Sequence, residues 1–186
     1  ISNACPGPGA CGGMYTANTM SSAIEAMGMA LPYNSSNPAI SRDKLNEKET
    51  ISKSIINLIK KDIKPSDIIT KKSIENAVRL ITLLGGSTNA VLHILAICKT
   101  ANIDFNINDF QKISEETPFL ANLKPSGKYL MEDLHTIGGI PAVMKFMLQN
   151  NMLHNDCMTV TGKTIEENLK TIESINFDQD IIRPLD

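Results

Sequence analysis

No apolar run in the 186 residues approaches the roughly 20 that a helical membrane span requires, so no membrane partner is expected. Neither sign of charge prevails: 18 Lys and Arg stand against 20 Asp and Glu, a formal net charge of -2, with the lysines scattered along the chain. Without a basic stripe nothing grips a phosphate backbone, which argues against nucleic acid and leaves a small molecule as the expected ligand. Cysteine is scarce as well. Four in a chain of this size are too few for a disulfide framework and suggest a reducing compartment, where thiols stay free for metal or catalysis. Strand signals are few, and neither an internal repeat nor a low-complexity segment is present. What remains, 42% hydrophobic and 20% charged, is enough for one globular, helix-rich unit with its own core.

Helical spacing organises most of the chain. Met20, Ala23, Ile24 and Met27 form a first helix stopped by Gly28 and Pro32. Asn46 and Glu49 resemble a capping box opening a second, whose stripe of Ile51, Ile55, Leu58 and Ile59 ends at Lys60, Lys61 and Pro65. Thr70 can cap a third through Ile74, Ala77, Val78 and Ile81 to Gly85-Gly86, where Ser87 or Thr88 can cap a fourth through Val91, Leu92, Leu95 and Ala96. A short helix is expected over 106–113, a loop over 118–126, and a helix with Pro141 in its first turn carrying Val143, Met144, Met147 and Leu148. Residues 158–164 favour a short strand and turn, and Thr164 with Glu167 opens a last helix through Leu169 and Ile172. The tail "IIRPLD" reads as a strand or a linker.

The unusual chemistry lies at the start, in "ACPGPGACGGM" (residues 4–14). Five residues separate Cys5 from Cys11, and no second Cys or His pair follows at finger distance, so structural zinc fits poorly. The stretch lacks the Lys and hydroxyl of a phosphate loop. What it offers is a thiol at Cys11 whose neighbours Gly9, Gly12 and Gly13 leave the backbone bare to a bulky inorganic group, with helix N-terminal amides just beyond to soften negative charge. Soft thiolates select iron-sulfur clusters. On spacing alone the alternative stays open that Gly and Pro merely shape a turn and both cysteines are small buried hydrophobes.

Four blocks in order, residues 4–32, "GGSTNAVLHILAI" (85–97), "LKPSGKYLMEDLHTIGGIPAVMKF" (123–146) and "TVTGKTIEENL" (159–169), resemble the dihydroxy-acid, phosphogluconate and sugar-acid dehydratase family, with the wording of its dihydroxy-acid members. The resemblance covers nearly the whole chain and implies the following. The fold is a helix-rich part of the family's α/β cluster-binding N-terminal domain, with residues 1–176 in that domain and 177–186 leading toward a β-rich C-terminal domain that this chain does not contain. The opening at Ile1, with a motif within five residues, is likewise what a piece of a longer polypeptide would show.

The activity implied is that of a hydro-lyase of branched-chain amino acid biosynthesis: a 2,3-dihydroxy carboxylate loses water to give a 2-keto acid. An iron-sulfur cluster, 2Fe-2S or 4Fe-4S, held by three cysteines keeps one iron open as a Lewis acid for the departing C3 hydroxyl. A magnesium ion (Mg2+) clamps the carboxylate side, and a deprotonated Ser takes the C2 proton before the enol tautomerises. Hydroxide is a poor leaving group, so its charge must be neutralised where it develops. By resemblance the third cluster ligand falls on Cys11, Cys5 is not a ligand, and the remaining cysteines, the magnesium ligands and the catalytic Ser lie outside this chain. A homodimer is implied at full length, in the bacterial cytoplasm or an organelle matrix, with the piece alone inactive. The alternatives are a sugar-acid or phosphogluconate dehydratase and a non-catalytic helical binding module.

Other candidates read as structural. Residues 85–89 place amides and hydroxyls at a helix start that could receive an anion, but a C-cap followed by an N-cap is the simpler account. His93, His135 and His154 have no metal-ligand pattern, Glu132 and Asp133 read as capping or surface groups, and Lys124 and Lys128 flank a solvated turn. Cys98 and Cys157 are expected to be buried thiols.

Overall fold

The structure, a computed structural model, describes residues 11–185, and among these the regular elements are helices. They run α1 (Thr16–Ala26), α2 (Arg42–Lys60), α3 (Pro65–Ile68), α4 (Lys71–Leu83), α5 (Asn89–Thr100), α6 (Ile107–Glu116), α7 (Met131–Thr136), α8 (Gly139–Gln149) and α9 (Ile165–Leu169). Among the described residues no sheet forms. Strand-like pairing is limited to isolated bridges, Ala121 with Ile182, Leu123 with Tyr129 and Met158 with Thr164. The strand expected over 158–164 is thus one bridge. It closes a turn in which Thr159 N donates to Lys163 O (3.0 Å), and Thr164 then caps α9 by accepting from Glu167 N (3.2 Å). That helix stops at Leu169, short of Ile172.

Helix α4 organises the interior because it is apolar on two sides. Ile74, Ala77, Val78 and Ile81 join Ala23, Met27, Ala90, Ile94 and Phe105 in one buried cluster. Leu80, Leu83 and Leu84 join Ile140, Val143, Met144 and Met147 of α8 in the other. Each Val, Leu, Ile, Met or Phe side chain buried here contributes about 1.5–3 kcal/mol by leaving water, and each Ala less. The start expected at Thr70 is observed, with its Oγ1 accepting from Ser73 N (3.2 Å), and Gly85 ends the run at a φ of 67°. Helix α1 packs along α4, which fixes the chain just before α1, where Cys11 lies.

Helix α2 departs from expectation twice. It begins at Arg42, because Ser41 Oγ accepts from Lys44 N (3.1 Å) and supplies a better cap than Asn46, which falls inside the helix. Its apolar stripe is not covered: Ile51, Ile55 and Ile59 are exposed, and α2 buries no residue. The helix is tied down instead by polar contacts at its edges, such as Asn57 Nδ2 donating to Thr161 O (3.3 Å). The tail lies beside 120–122, with Asn122 N donating to Ile181 O (2.8 Å), Arg183 N to Leu120 O (3.0 Å), and Ile182 fully buried.

Candidate functional site

The stretch that carries Cys11 is held by its own sequence block and by a distant one. Asn18, on the first turns of α1, reaches back and donates from Nδ2 to Cys11 O (2.8 Å) and Gly13 O (2.6 Å). Met131 N donates to Gly12 O (2.7 Å) and Met14 N to Lys124 O (2.7 Å), so residues 124–131 clasp the stretch from the other side. Gly13 is required for that approach: a Cβ there would stand 2.9 Å from the Lys124 carbonyl oxygen and 3.0 Å from the Tyr15 ring. The amide of Met14, one of those just past the thiol, is therefore engaged by protein. Cys5 and Gly9 lie outside the described residues.

Cys11 itself is half-buried and makes one long sulfur contact, 3.9 Å to Gly13 O. It lines a cavity of about 330 Å³ together with Asn18, Ser21, Asn34, Ser36, Lys44 and Glu132. Lys44 is the cation of this wall, with Nζ 3.0 Å from Glu47 and donating to Asn34 O (2.7 Å). A soft, accessible sulfur on a polar cavity fits one corner of an iron-sulfur cluster. It does not make a complete site, since no group of three or more His, Cys, Asp or Glu converges among the described residues. A roomier cavity, about 700 Å³, lies between Tyr33, His135 and residues 171–179 and carries no thiol.

Sequence reasoning missed Glu25. It sits between Ile24 and Ala26 on α1, 4% exposed, and accepts from Tyr33 N (2.8 Å), Ser35 N (2.9 Å) and Ser35 Oγ (2.5 Å). Burial pushes its carboxyl up to about 7, outweighing the lowering by the Ser35 and Tyr33 donors. The signal available in the sequence was a lone acid inside an apolar helical stripe, but its partners lie on a loop eight and ten residues away.

The other candidates take structural roles. Ser87 N donates to Thr19 Oγ1 (3.0 Å) and Asn89 Nδ2 to Thr16 Oγ1 (2.9 Å), so the 85–89 corner ties α5 to the start of α1. Asp133 Oδ2 accepts from Leu130 N (2.7 Å) and caps α7. His154 Nε2 meets Glu75 Oε2 (2.6 Å), and His93 is exposed. Cys98 and Cys157 are buried, and burial raises both thiols, Cys157 up to about 11.

Comparison with known proteins agrees with the sequence blocks. The profile of the family described as dihydroxy-acid/6-phosphogluconate dehydratase N-terminal matches residues 1–168. A dihydroxy-acid dehydratase of Flavobacterium psychrophilum is 60% identical over 185 residues, covering 100% of this chain and 33% of the relative. One of Lactococcus lactis subsp. cremoris is 59% identical over 187 residues, with 100% and 33% covered. The chloroplastic dihydroxy-acid dehydratase of Arabidopsis thaliana is 56% identical over 185 residues, with 100% and 30% covered. The chain thus spans about 33% of the length of the first two relatives. On a profile match over 168 of its 186 residues, the chain belongs to the dihydroxy-acid/6-phosphogluconate dehydratase family, in its N-terminal region.

Proposed function

We propose that the protein to which this chain belongs is a hydro-lyase that removes water from a 2,3-dihydroxy carboxylate to leave a 2-keto acid, in the formation of branched-chain amino acids. The observation that supports this most is the clasped Cys11 stretch opening on a polar cavity in a chain of this family. Relatives at 56–60% identity that are named dihydroxy-acid dehydratases favour that substrate over a phosphogluconate or sugar acid.

Cys11 Sγ would be one of the ligands that hold the cluster, whose bound form supplies a Lewis acid for the departing hydroxyl. The chain's own residues bind and orient. Asn18 and the 124–131 segment fix the backbone on both sides of the sulfur, so the thiolate is presented without a search of conformations. Asn34, Ser36 and Lys44 give the cavity polar groups suited to a hydroxylated anion, and Leu130 with Met131 narrows one side against water. The Mg2+ ligands and the proton-abstracting Ser are assigned to the part of the relatives' length that this chain does not span. Residues 1–176 are assigned to the cluster-binding domain and 177–186 to the passage beyond it, and the full-length protein to a homodimer of the cytoplasm or an organelle matrix.

The test is Cys11→Ser in the full-length protein. Loss of the cluster's visible absorption is expected, and an unchanged spectrum rejects the assignment. Turnover of 2,3-dihydroxyisovalerate against gluconate-type acids separates the dihydroxy-acid reading from its sugar-acid relative, and absence of turnover by a cluster-loaded protein rejects both.

A further inference from the structure

Asn34-Ser35-Ser36-Asn37, preceded by Tyr33, forms a wall of the cavity that Cys11 lines, yet this segment has no helix or strand to hold it. Its conformation is an uncommon one, with Tyr33 in the left-handed region at a φ of 70°. Carboxylates from two helices hold it instead. From α1, Glu25 accepts from the Tyr33 amide and from both the amide and hydroxyl of Ser35. From α2, Glu47 accepts from Asn34 Nδ2 (2.6 Å) and Asn37 Nδ2 (2.8 Å), while Ser36 Oγ accepts from Ile140 N of α8 (3.3 Å). Glu47 has Lys44 as a counter-ion; Glu25, buried, is matched among the described residues by these three donors and by no cation. A buried carboxylate without a cation is costly and is retained where its hydrogen bonds fix something.

We propose that Glu25 is a positioning residue for substrate binding: it fixes segment 33–37 so that Asn34, Ser36 and Lys44 present one polar wall to the cavity that Cys11 lines. This rests on the dehydratase reading given above. Glu25 does not itself line the cavity and acts through segment 33–37, so its loss moves groups that bind substrate in ground and transition state alike. The effect therefore falls on KM and not on kcat.

The experiment is steady-state kinetics of full-length Glu25→Gln and Ser35→Ala with 2,3-dihydroxyisovalerate, activity being normalised to cluster absorption. Gln keeps the shape of Glu but turns an amino group toward one of the three donors. KM is expected to rise about tenfold in E25Q and about threefold in S35A, which loses one hydrogen bond of three, with kcat within about twofold in both. An unchanged KM in S35A overturns the proposal, as does an E25Q that loses thermal stability at unchanged KM, since either result makes Glu25 merely structural. Where E25Q does not fold, S35A decides. Wild-type protein that does not turn the acid over overturns the dehydratase reading and this proposal with it, whereas wild-type turnover with unchanged KM in the variants overturns the proposal alone.

Discussion

Replacing Glu25 by Gln should abolish a pH dependence of stability that the wild-type chain carries. Buried on α1 with no cation against it among the described residues, the Glu25 carboxyl is pushed up to about 7 from an ordinary value of 4.5, first by desolvation. A group whose pKa is raised by folding binds its proton more tightly in the native state. Its contribution is fully present below the unfolded value and is lost as pH rises through the folded one. Between 4.5 and about 7 the slope is about 1.4 kcal/mol per pH unit, which gives roughly 3 kcal/mol over the window. Gln is neutral throughout and has no such slope. In urea unfolding followed from pH 4.5 to 7.5, the stability of wild type minus that of E25Q is therefore expected to fall by about 3 kcal/mol. Titrating groups that do not interact with Glu25 cancel in the difference; Glu47 and Tyr33, which sense its charge, do not cancel completely. Parallel curves, or a Glu25 carboxyl that titrates near 4.5 by carbon-13 NMR, would show that the three donors compensate burial completely and refute the reasoning.

Long periodic segments were legible because one face of each is buried along its whole length. In α4, Ile74, Ala77, Val78 and Ile81 fall on successive turns and all are buried, and the caps at Thr70 and Gly85 are residues whose chemistry acts locally. The pattern misled at α2, where Ile51, Ile55 and Ile59 keep the period of a buried stripe but face away from the chain. Periodicity reports that a face wants a partner and is silent on whether the partner belongs to the same segment. Helices α3 and α7, spanning Pro65–Ile68 and Met131–Thr136, are shorter than the window in which a period can be counted. At the site, residue type and neighbours marked Cys11 as a candidate but left a plain turn with buried thiols open, and it was the resemblance that put a cluster ligand there; the structure adds that Cys11 is half-buried and lines a cavity. Glu25 and the clasp by Lys124 and Met131 were not legible, because a hydrogen bond between residues 14 and 124 leaves no trace in either stretch alone.

Two further outcomes are expected. In the native protein, alkylation near pH 8 should spare Cys98 and Cys157, whose thiols burial raises, and reach Cys11 once the cluster is removed; mass spectrometry of the labelled peptides reads this, and early labelling of Cys157 would contradict its burial. The second concerns Asn76, fully buried on α4, which grips the 154–157 turn with both ends of its amide: Nδ2 donates to His154 O (2.9 Å) and Oδ1 accepts from His154 N (2.8 Å). Asn76→Ala removes donor and acceptor together and leaves two backbone groups of His154 without partners. Each such orphan costs about 1–3 kcal/mol when it stays away from water, and His154 is half-buried, so a loss of about 2–4 kcal/mol in urea unfolding is expected. Asn76→Asp keeps the acceptor, loses the donor and brings a charge into the interior, so it should destabilise at neutral pH and recover as the carboxyl protonates. A loss under about 1 kcal/mol for the Ala variant would mean that water replaces the amide at both His154 groups, and that the turn does not depend on α4 for its place.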